Sequence, residues 1–125
     1  MKLTVQDIFD LNKGLNEIGE MNNIPIKLAF RIQLIVKKVR DEHAIANDLR
    51  TKLIKKYRDD SITERVEIEK DHLETFNKEH DELMEQEVEI KHLKKIDISE
   101  LESIETIKPN LLLNLNKVLT DGGEK

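Results

Sequence analysis

A glutamate and a histidine three positions apart, Glu69 and His72, have the spacing at which two helical side chains can hold one metal ion. Carboxylate-bridged metal sites in helical bundles combine two such pairs with two further inward-facing glutamates. A second pair would need a carboxylate three residues before His43, but this position holds the cation Arg40. Because the second pair is missing, we expect no metal ligands and no cofactor in this chain.

Two other histidines fall on apolar helical stripes. His80 lies on the apolar face of an acidic helix, where it could accept a buried proton or sit at the edge of the seam with its polar tip outward. The second reading is favoured. His43 and its neighbour Glu42 interrupt the apolar seam of a long helix. Polar residues at such positions set the register between helices, so Glu42, His43 and His80 form a candidate register-setting polar layer.

No catalytic arrangement can be derived from the remaining polar residues. Nothing places Ser61, Ser99 or Ser103 on a nucleophile turn, and no glycine-rich phosphate loop is present. The chain has no cysteine, which excludes a disulfide framework, a zinc–thiolate site and a thiol nucleophile. We therefore expect no catalytic residues and no enzymatic activity.

These side chains belong to a short, highly charged chain. It has 125 residues, 38% charged, with four glycines and two prolines, so we expect one helical domain over 1–125. All-β and Rossmann-like folds use more glycine and proline in their turns. No apolar run approaches the ~20 residues that span a bilayer, and no signal-peptide core follows the start. The composition indicates a soluble, helix-dominated, intracellular protein without a membrane partner.

The net charge of −5 hides two oppositely charged segments. Residues 26–58 hold ten basic and three acidic side chains, whereas residues 59–105 hold seventeen acidic and six basic ones. The segments therefore carry +7 and −11. Either the two pair within the chain or each awaits a partner, and internal pairing is favoured because neighbouring elements usually pack together.

The basic segment is predicted to be one long helix. A short helix and a loop occupy 1–25, starting at Thr4, whose hydroxyl can cap the helix with Asp7 three positions on. Pro25 suits the first turn of the next helix, which runs through 26–58. Its first half is expected to be buried on two sides, along an apolar seam and along a second face with Phe30 and Leu34. Its second half carries the seam alone and should project or pair with a single helix. The seam residues are Leu28, Ile32, Ile35, Val39, Ala46, Leu49, Leu53 and Tyr57.

The acidic segment is predicted to return along this helix. A third helix over 69–87 would pack antiparallel against 26–58 as a hairpin, bringing Tyr57 near Leu73. Alternating residues at 88–90 and 96–98 indicate two short extended segments, followed by a capped helical turn from Ser99. The conformation of 61–68 stays open at this point.

The segment 106–125 is predicted to hold a terminal helix, from Asn110 to Leu119, that ends at Asp121-Gly122-Gly123. The fold class is therefore mainly α: a long antiparallel helical hairpin with short N- and C-terminal helices and at most a minor β element.

Two sets of residues form the candidate interaction surface. The apolar run of the terminal helix either completes the core or makes an intermolecular contact, and the basic end of the long helix projects from the fold. The candidates are Arg50, Lys52, Lys55, Lys56, Arg58, Leu111, Leu112 and Leu115. Nucleic acid ranks last among the partners, because the cations are spread around the helix without interleaved aromatic residues.

Several short segments resemble a group of small helical proteins that tailed phages and prophages encode. They are 2–4, 25–29, 53–57, 76–79, 83–90 and 98–101. Relatives in this group carry a glycine turn after the tyrosine, where this chain has Arg58-Asp59-Asp60. The resemblance implies a phage origin and brings no catalytic residues.

The expected function is that of a non-enzymatic phage protein acting through protein–protein contacts, as a virion or virion-assembly component. Its partners would be copies of itself or other phage proteins, in the host cytoplasm during infection or in the virion. The alternative is an inhibitor of a host enzyme or an anti-phage defence system, with the acidic segment mimicking nucleic acid. A second alternative is a nucleic-acid-binding accessory protein using the basic helix.

Overall fold

The protein is mainly helical, as its composition predicts. A computed structural model describes residues 1–102, 104 and 107–120. The α-helices of these residues are α1 (Val5–Gly19), α2 (Ile26–Tyr57), α3 (Leu73–Met84) and α4 (Pro109–Leu115). The strands are β1 (Lys2–Thr4), β2 (Glu87–Glu89), β3 (Ile96–Asp97) and β4 (Leu119–Thr120). None of the described helices is long and apolar enough to cross a membrane.

Helix α1 begins at the predicted cap. The Thr4 hydroxyl oxygen accepts a hydrogen bond from the Asp7 backbone N–H at 3.1 Å, and the Asp7 carboxylate accepts one from the Thr4 N–H at 2.9 Å. This reciprocal capping box satisfies two backbone donors that the helix itself cannot satisfy. The predicted start of the first helix is therefore confirmed.

Replacing Thr4 with alanine is expected to lower the free energy of unfolding by about 1 kcal/mol, since the Asp7 N–H loses its partner. Urea denaturation followed by circular dichroism measures the change. Thr51→Ala is the matched control, because Thr51 is exposed inside α2. Equal stabilities for the two variants would contradict a stabilising role of the cap.

Helix α1 provides the central part of the core. Its apolar side chains Ile8, Leu11, Leu15 and Ile18 recur every three or four positions and are fully buried. The helix packs against both α2 and α4. The main cluster contains Leu3, Ile8, Leu11, Leu15, Ile18, Leu28, Ile32, Ile35, Val39, Ile90, Ile96, Leu101, Ile104, Leu111, Leu115 and Val118. Because helices this short are marginal in water, α1 depends on this packing for its stability.

Helix α2 confirms the predicted long helix. It has 32 residues, which corresponds to about 48 Å. The predicted second buried face is wrong, however, because the side chains of Phe30 and Leu34 are 62% and 48% exposed. In the first half of α2, the seam from Leu28 to Val39 packs in the core. The face that carries Phe30 and Leu34 is exposed. Leu49, on the seam in the second half of α2, is exposed.

Helix α3 is shorter than predicted. A 3₁₀ turn (Lys70–His72) precedes it, and the chain enters β2 at Glu87. Its packing against α2 includes a hydrogen bond from the Tyr57 hydroxyl to the Glu79 carboxylate, at 2.8 Å. A second apolar cluster joins the two helices to α1 through Val5, Ala46 and Met84.

The segment between α2 and α3 is a closed loop. Arg58 and Ile68 form an isolated antiparallel bridge, and the Asp59 N–H donates to the Glu67 carbonyl at 2.7 Å. The open question of 61–68 is answered, since these residues form neither a helix nor a named strand.

Two of the four short strands, β2 and β3, lie close to the segments that the alternating residues predict, whereas β1 and β4 were not predicted. β1 and β2 pair antiparallel, with Leu3 opposite Val88, and β3 and β4 pair parallel, with Ile96 opposite Leu119. Each predicted segment thus finds its partner far away in the chain. The backbone bonds continue beyond the strands, as the Val5 N–H donates to the Gln86 carbonyl at 2.8 Å.

The region after β3 differs from the prediction in its details. The expected helical turn is a 3₁₀ helix (Ile98–Leu101), and its cap is the Asp97 carboxylate, which accepts from the Ser99 N–H at 3.0 Å. Helix α4 ends at Leu115, not Leu119, because a 3₁₀ turn (Asn116–Val118) leads into β4. The predicted stop at 121–123 lies outside the described residues.

Candidate binding surface

The pair Glu69 and His72 lies at the entrance to α3. Its Oε2 and Nε2 atoms are 3.3 Å apart, and both side chains are about half exposed. Across the described ranges, no group of three or more His, Asp or Glu side chains could hold a metal ion. At this distance Glu69 and His72 make a local i,i+3 contact, which is worth a few tenths of a kcal/mol at most.

The structure gives His43 and His80 different neighbours. The ring of His43 meets the ring of Phe9 edge to face, with centroids 5.3 Å apart, whereas His80 stacks on Phe76 of its own helix at 5.7 Å. His43 thus joins α2 to α1. A register-setting role for Glu42, His43 and His80 stays a prediction.

The environment of His43 favours its neutral form. Burial lowers the pKa of His43 below 6.5, and the positive charge of Arg50 lowers it further. The Arg50 guanidinium lies 4.4 Å from the centre of the Phe9 ring, so both side chains pack on the same aromatic residue.

Stability is therefore expected to fall as the pH decreases below about 6.5, because the unfolded chain then binds the proton more readily than the folded chain does. The contribution of neutral His43 to the free energy of unfolding is fully present above about pH 6.5. It is lost as the pH falls through the lowered pKa of His43 in the folded chain. Urea denaturation at several pH values from about 8 to about 5 measures the slope.

His43→Gln is expected to reduce this slope, and Arg50→Gln is expected to reduce it in part, since only the second cause is removed. An unchanged slope in His43→Gln would contradict the assignment. For each variant, the free energy of unfolding at lower pH is compared with its value at pH about 8. This comparison separates the effect of protonation from any loss of packing.

The basic end of α2 is engaged within the chain at several of the predicted surface positions. Lys56 Nζ lies 3.8 Å from the Glu79 carboxylate of α3, and Lys52 lies 3.2 Å from Asp48 one turn earlier. A hydrogen bond with Tyr57 and the charge of Glu79 raise the pKa of Lys56. The Lys56–Glu79 pair joins the two oppositely charged segments, whereas the Lys52–Asp48 pair lies within the basic segment.

Two other predicted surface cations are placed differently. Arg58 takes part in the backbone bridge to Ile68, and its Nε atom is buried. Lys55 is exposed on the last turns of α2.

The predicted apolar surface of α4 divides into two faces. Leu111 and Leu115 are fully buried in the main cluster, so they complete the core and the intermolecular alternative is wrong for them. Leu112 is partly exposed, and Leu113 is 71% exposed. Because α4 packs against α1 along one face only, three consecutive leucines cannot all be covered.

An apolar groove lies along the first half of α2, where no site was predicted. Its volume is about 380 Å³, and its apolar lining comes from Phe30, Leu34, Ile35 and Leu93. Phe30 and Leu34 follow the exposed Ile26 at intervals of four, so these three side chains form one stripe on the helix. We call the groove lined by these four apolar residues and their charged neighbours the α2 groove. The same spacing was the basis for predicting a second buried face, so the signal was present but was assigned to the core.

Cations surround the α2 groove. Lys27, Lys38 and Lys94 are exposed and line it together with the apolar side chains. Arg31, also in the lining, forms an ion pair with Glu100. The groove therefore presents apolar surface within a positively charged rim.

His92, at the edge of the α2 groove, has an unusual backbone. Its φ of 58° is the only positive value at a non-glycine residue in the described part of the chain. A left-handed conformation at such a residue costs about 1–2 kcal/mol, so the surrounding structure must stabilise it. This conformation precedes Leu93 and Lys94, which line the groove.

Residues 59–74, at the other end of α2, form a region that we call the acidic loop, although it includes the 3₁₀ turn and the first two residues of α3. It holds seven acidic and two basic side chains. The carboxylate of Asp59 accepts hydrogen bonds from the hydroxyl and the N–H of Ser61, at 2.6 and 3.0 Å, and these bonds lower the pKa of Asp59. Two large apolar side chains, Val66 and Leu73, are 59% and 47% exposed among these charges.

Comparison with protein-family models, with curated proteins and with solved structures finds no match to this chain. A function for the α2 groove and the acidic loop is therefore inferred from their own side chains. Both surfaces combine exposed apolar groups with a dominant charge, and the two charges are opposite.

Proposed function

We propose that this chain is a non-enzymatic protein that acts through protein–protein contacts, as a component of a virion or of its assembly. The observation that carries the proposal is the α2 groove, whose lining residues Phe30 and Leu34 continue the exposed apolar stripe that begins at Ile26. The phage context is the one that the resemblance to small phage-encoded helical proteins implies.

Physical chemistry supports a protein as the partner of this stripe. Covering a large apolar side chain is worth about 1.5–3 kcal/mol, and contiguous exposed apolar patches mark interaction sites. Arg31, held by Glu100 beside the groove, and the exposed Lys27 and Lys38 add a polar rim. An apolar centre with a charged rim is the usual anatomy of a protein–protein interface.

The α2–α3 pair would serve as the platform for these contacts, in the form of an antiparallel hairpin. Support comes from contacts between α2 and α3 at two places along the helices. Tyr57, at the end of α2, meets Phe76 and Glu79, whereas Ala46, three turns earlier, clusters with Met84 at the end of α3. Such a pair is stiff, so the groove and the acidic loop would keep a fixed separation.

The test is to measure the protein in purified particles and to alter the stripe. Phe30→Asp is expected to reduce both the incorporation of the protein, measured by quantitative mass spectrometry, and the yield of infectious particles. Ile45→Asp is the matched control, since Ile45 and Phe30 lie on the same helix and are both 62% exposed. Absence of the wild-type protein from particles and from assembly intermediates would refute the proposal.

A second candidate, inhibition of a host enzyme that binds nucleic acid, is favoured by one observation. The acidic loop places seven carboxylates around a short segment of chain, where they could imitate a row of phosphates. Purification from infected cells would then recover the host enzyme. Charge reversal in the acidic loop would release that enzyme, whereas Phe30→Asp would not.

A further inference from the structure

We infer that the α2 groove binds the acidic loop of a second copy of this chain, so that copies associate head to tail. The inference rests on the proposed function, because it names the partner of the same groove. It follows from the shape and charge of the two surfaces and from their separation along α2.

The first step concerns what the α2 groove can accept. Its apolar lining favours an apolar side chain, while Lys27, Lys38 and Lys94 favour acidic neighbours around that side chain. A ligand of this chemistry is an exposed apolar residue flanked by carboxylates. Charge complementarity of this kind selects the partner and speeds its association.

The chain itself carries such a ligand. Val66 in the acidic loop is 59% exposed and has Glu64 and Glu67 close to it in the sequence, and Leu73 is 47% exposed and is followed by Glu74. Arg65 pairs with Glu67 at 2.9 Å, which partly neutralises one of these acids. Across 59–74 the acids still exceed the bases by five, from seven against two.

The second step excludes binding within one copy. The α2 groove uses residues up to Lys38, whereas the acidic loop begins after Tyr57, where α2 ends. Nineteen helical residues separate these positions, or about 30 Å along a continuous helix. The acidic loop therefore cannot reach the groove of its own chain.

The third step concerns symmetry. A two-fold contact between two grooves would place Lys27, Lys38 and Lys94 opposite the same cations, and like charges oppose such pairing. A contact between the α2 groove of one copy and the acidic loop of another joins two different surfaces. Every dimer then keeps one free groove and one free acidic loop. Heterologous contacts of this type continue into rings or open filaments.

The contact is small, so association is expected to be weak and sensitive to salt. A groove of about 380 Å³ accepts one or two side chains, well short of a standard protein–protein interface. Screening should weaken association by about tenfold or more between about 50 mM and about 500 mM NaCl. At low salt and high protein concentration, the weight-average mass should exceed that of a monomer.

Sedimentation equilibrium with two complementary variants tests the geometry. Phe30→Glu disables the groove and keeps the acidic loop, whereas Val66→Arg with Leu73→Arg disables the loop and keeps the groove. Each variant alone is expected to be monomeric. Their equimolar mixture should form a dimer that grows no further, because only one productive contact remains. Ile45→Glu, at a position outside the groove lining, should associate like the wild type.

The outcomes separate this inference from the proposed function. A wild-type protein that stays monomeric at low salt overturns head-to-tail association, while incorporation into particles would still support the proposed function through another partner. Association of the loop variant alone would indicate groove-to-groove pairing and also overturn the inference. Lys38→Glu, a milder change at an exposed position, gives an independent test if Phe30→Glu unfolds, and circular dichroism checks each variant.

Discussion

Replacing Leu115 with alanine is expected to lower the free energy of unfolding by about 2–5 kcal/mol. Leu115 is fully buried on α4 within the main cluster. The substitution removes three carbon atoms from a close-packed region and leaves a cavity, because α1 and the neighbouring strands can only partly close around it. For a chain of this size the loss corresponds to a decrease in Tm on the order of 10 °C.

Leu113→Ala is the matched control on the same helix. Leu113 is 71% exposed, so its truncation should change the free energy of unfolding by no more than about 0.5 kcal/mol. Urea denaturation and thermal unfolding measure both variants. Similar losses for the two leucines would show that α4 does not pack as described, and would restore the intermolecular alternative for Leu115.

The second large effect is expected at Gly14, where α1 and α4 approach each other. A Cβ atom at this position would lie 2.9 Å from Leu115 Cδ2, which is closer than real Cβ atoms approach, and 3.0 Å from Asn114 Cβ, at the tight end of observed contacts. Gly14→Ala should therefore push the two helices apart. Overpacking of this kind costs about 1–3 kcal/mol, which exceeds the gain of about 1 kcal/mol in helix propensity.

Gly19→Ala separates the gain in helix propensity from the cost of overpacking. Gly19 is the last residue of α1, and apart from its chain neighbours and the adjacent helix backbone no atom lies within 4 Å of the position that its Cβ would take. This variant should be as stable as the wild type or up to about 1 kcal/mol more stable. If Gly14→Ala also gained stability, the close approach of α1 and α4 would be excluded.

Local signals predict α1 and α2 well. Thr4 and Asp7 form a capping pair that can be read directly from the sequence, and Pro25 marks the start of α2 because it fixes the backbone at a helix N-terminus. The regular spacing of Ile8, Leu11 and the other apolar residues then indicates which face of α1 is buried. In each case the information lies within a few residues of the element.

The partners of the strands could not be predicted in this way. The alternation around Val88 and Ile96 indicates extended backbone, but pairing with Leu3 and Leu119 depends on how the helices bring distant segments together. A strand of two or three residues has too few side chains to encode its own register.

The α2 groove was missed for a related reason. A helical stripe at Ile26, Phe30 and Leu34 has the same spacing whether a neighbouring element covers it or solvent does. Periodicity shows that a face is apolar, and only the tertiary arrangement shows whether anything packs on it. The same limit applies to the three leucines from Leu111 to Leu113, of which only Leu111 is fully buried.

The pairing of β1 with β2 and the packing of α1 on α4 have a consequence for synthesis of the chain. Residues 2–19 leave the ribosome before their partners, which lie at 87–89 and 109–115. At translation rates of about 5–20 residues per second, α1 waits roughly 5 to 20 s for α4. During this interval its apolar stripe is exposed on a helix too short to be stable alone. The packing of α1 is therefore completed only after residues 109–115 have been synthesised.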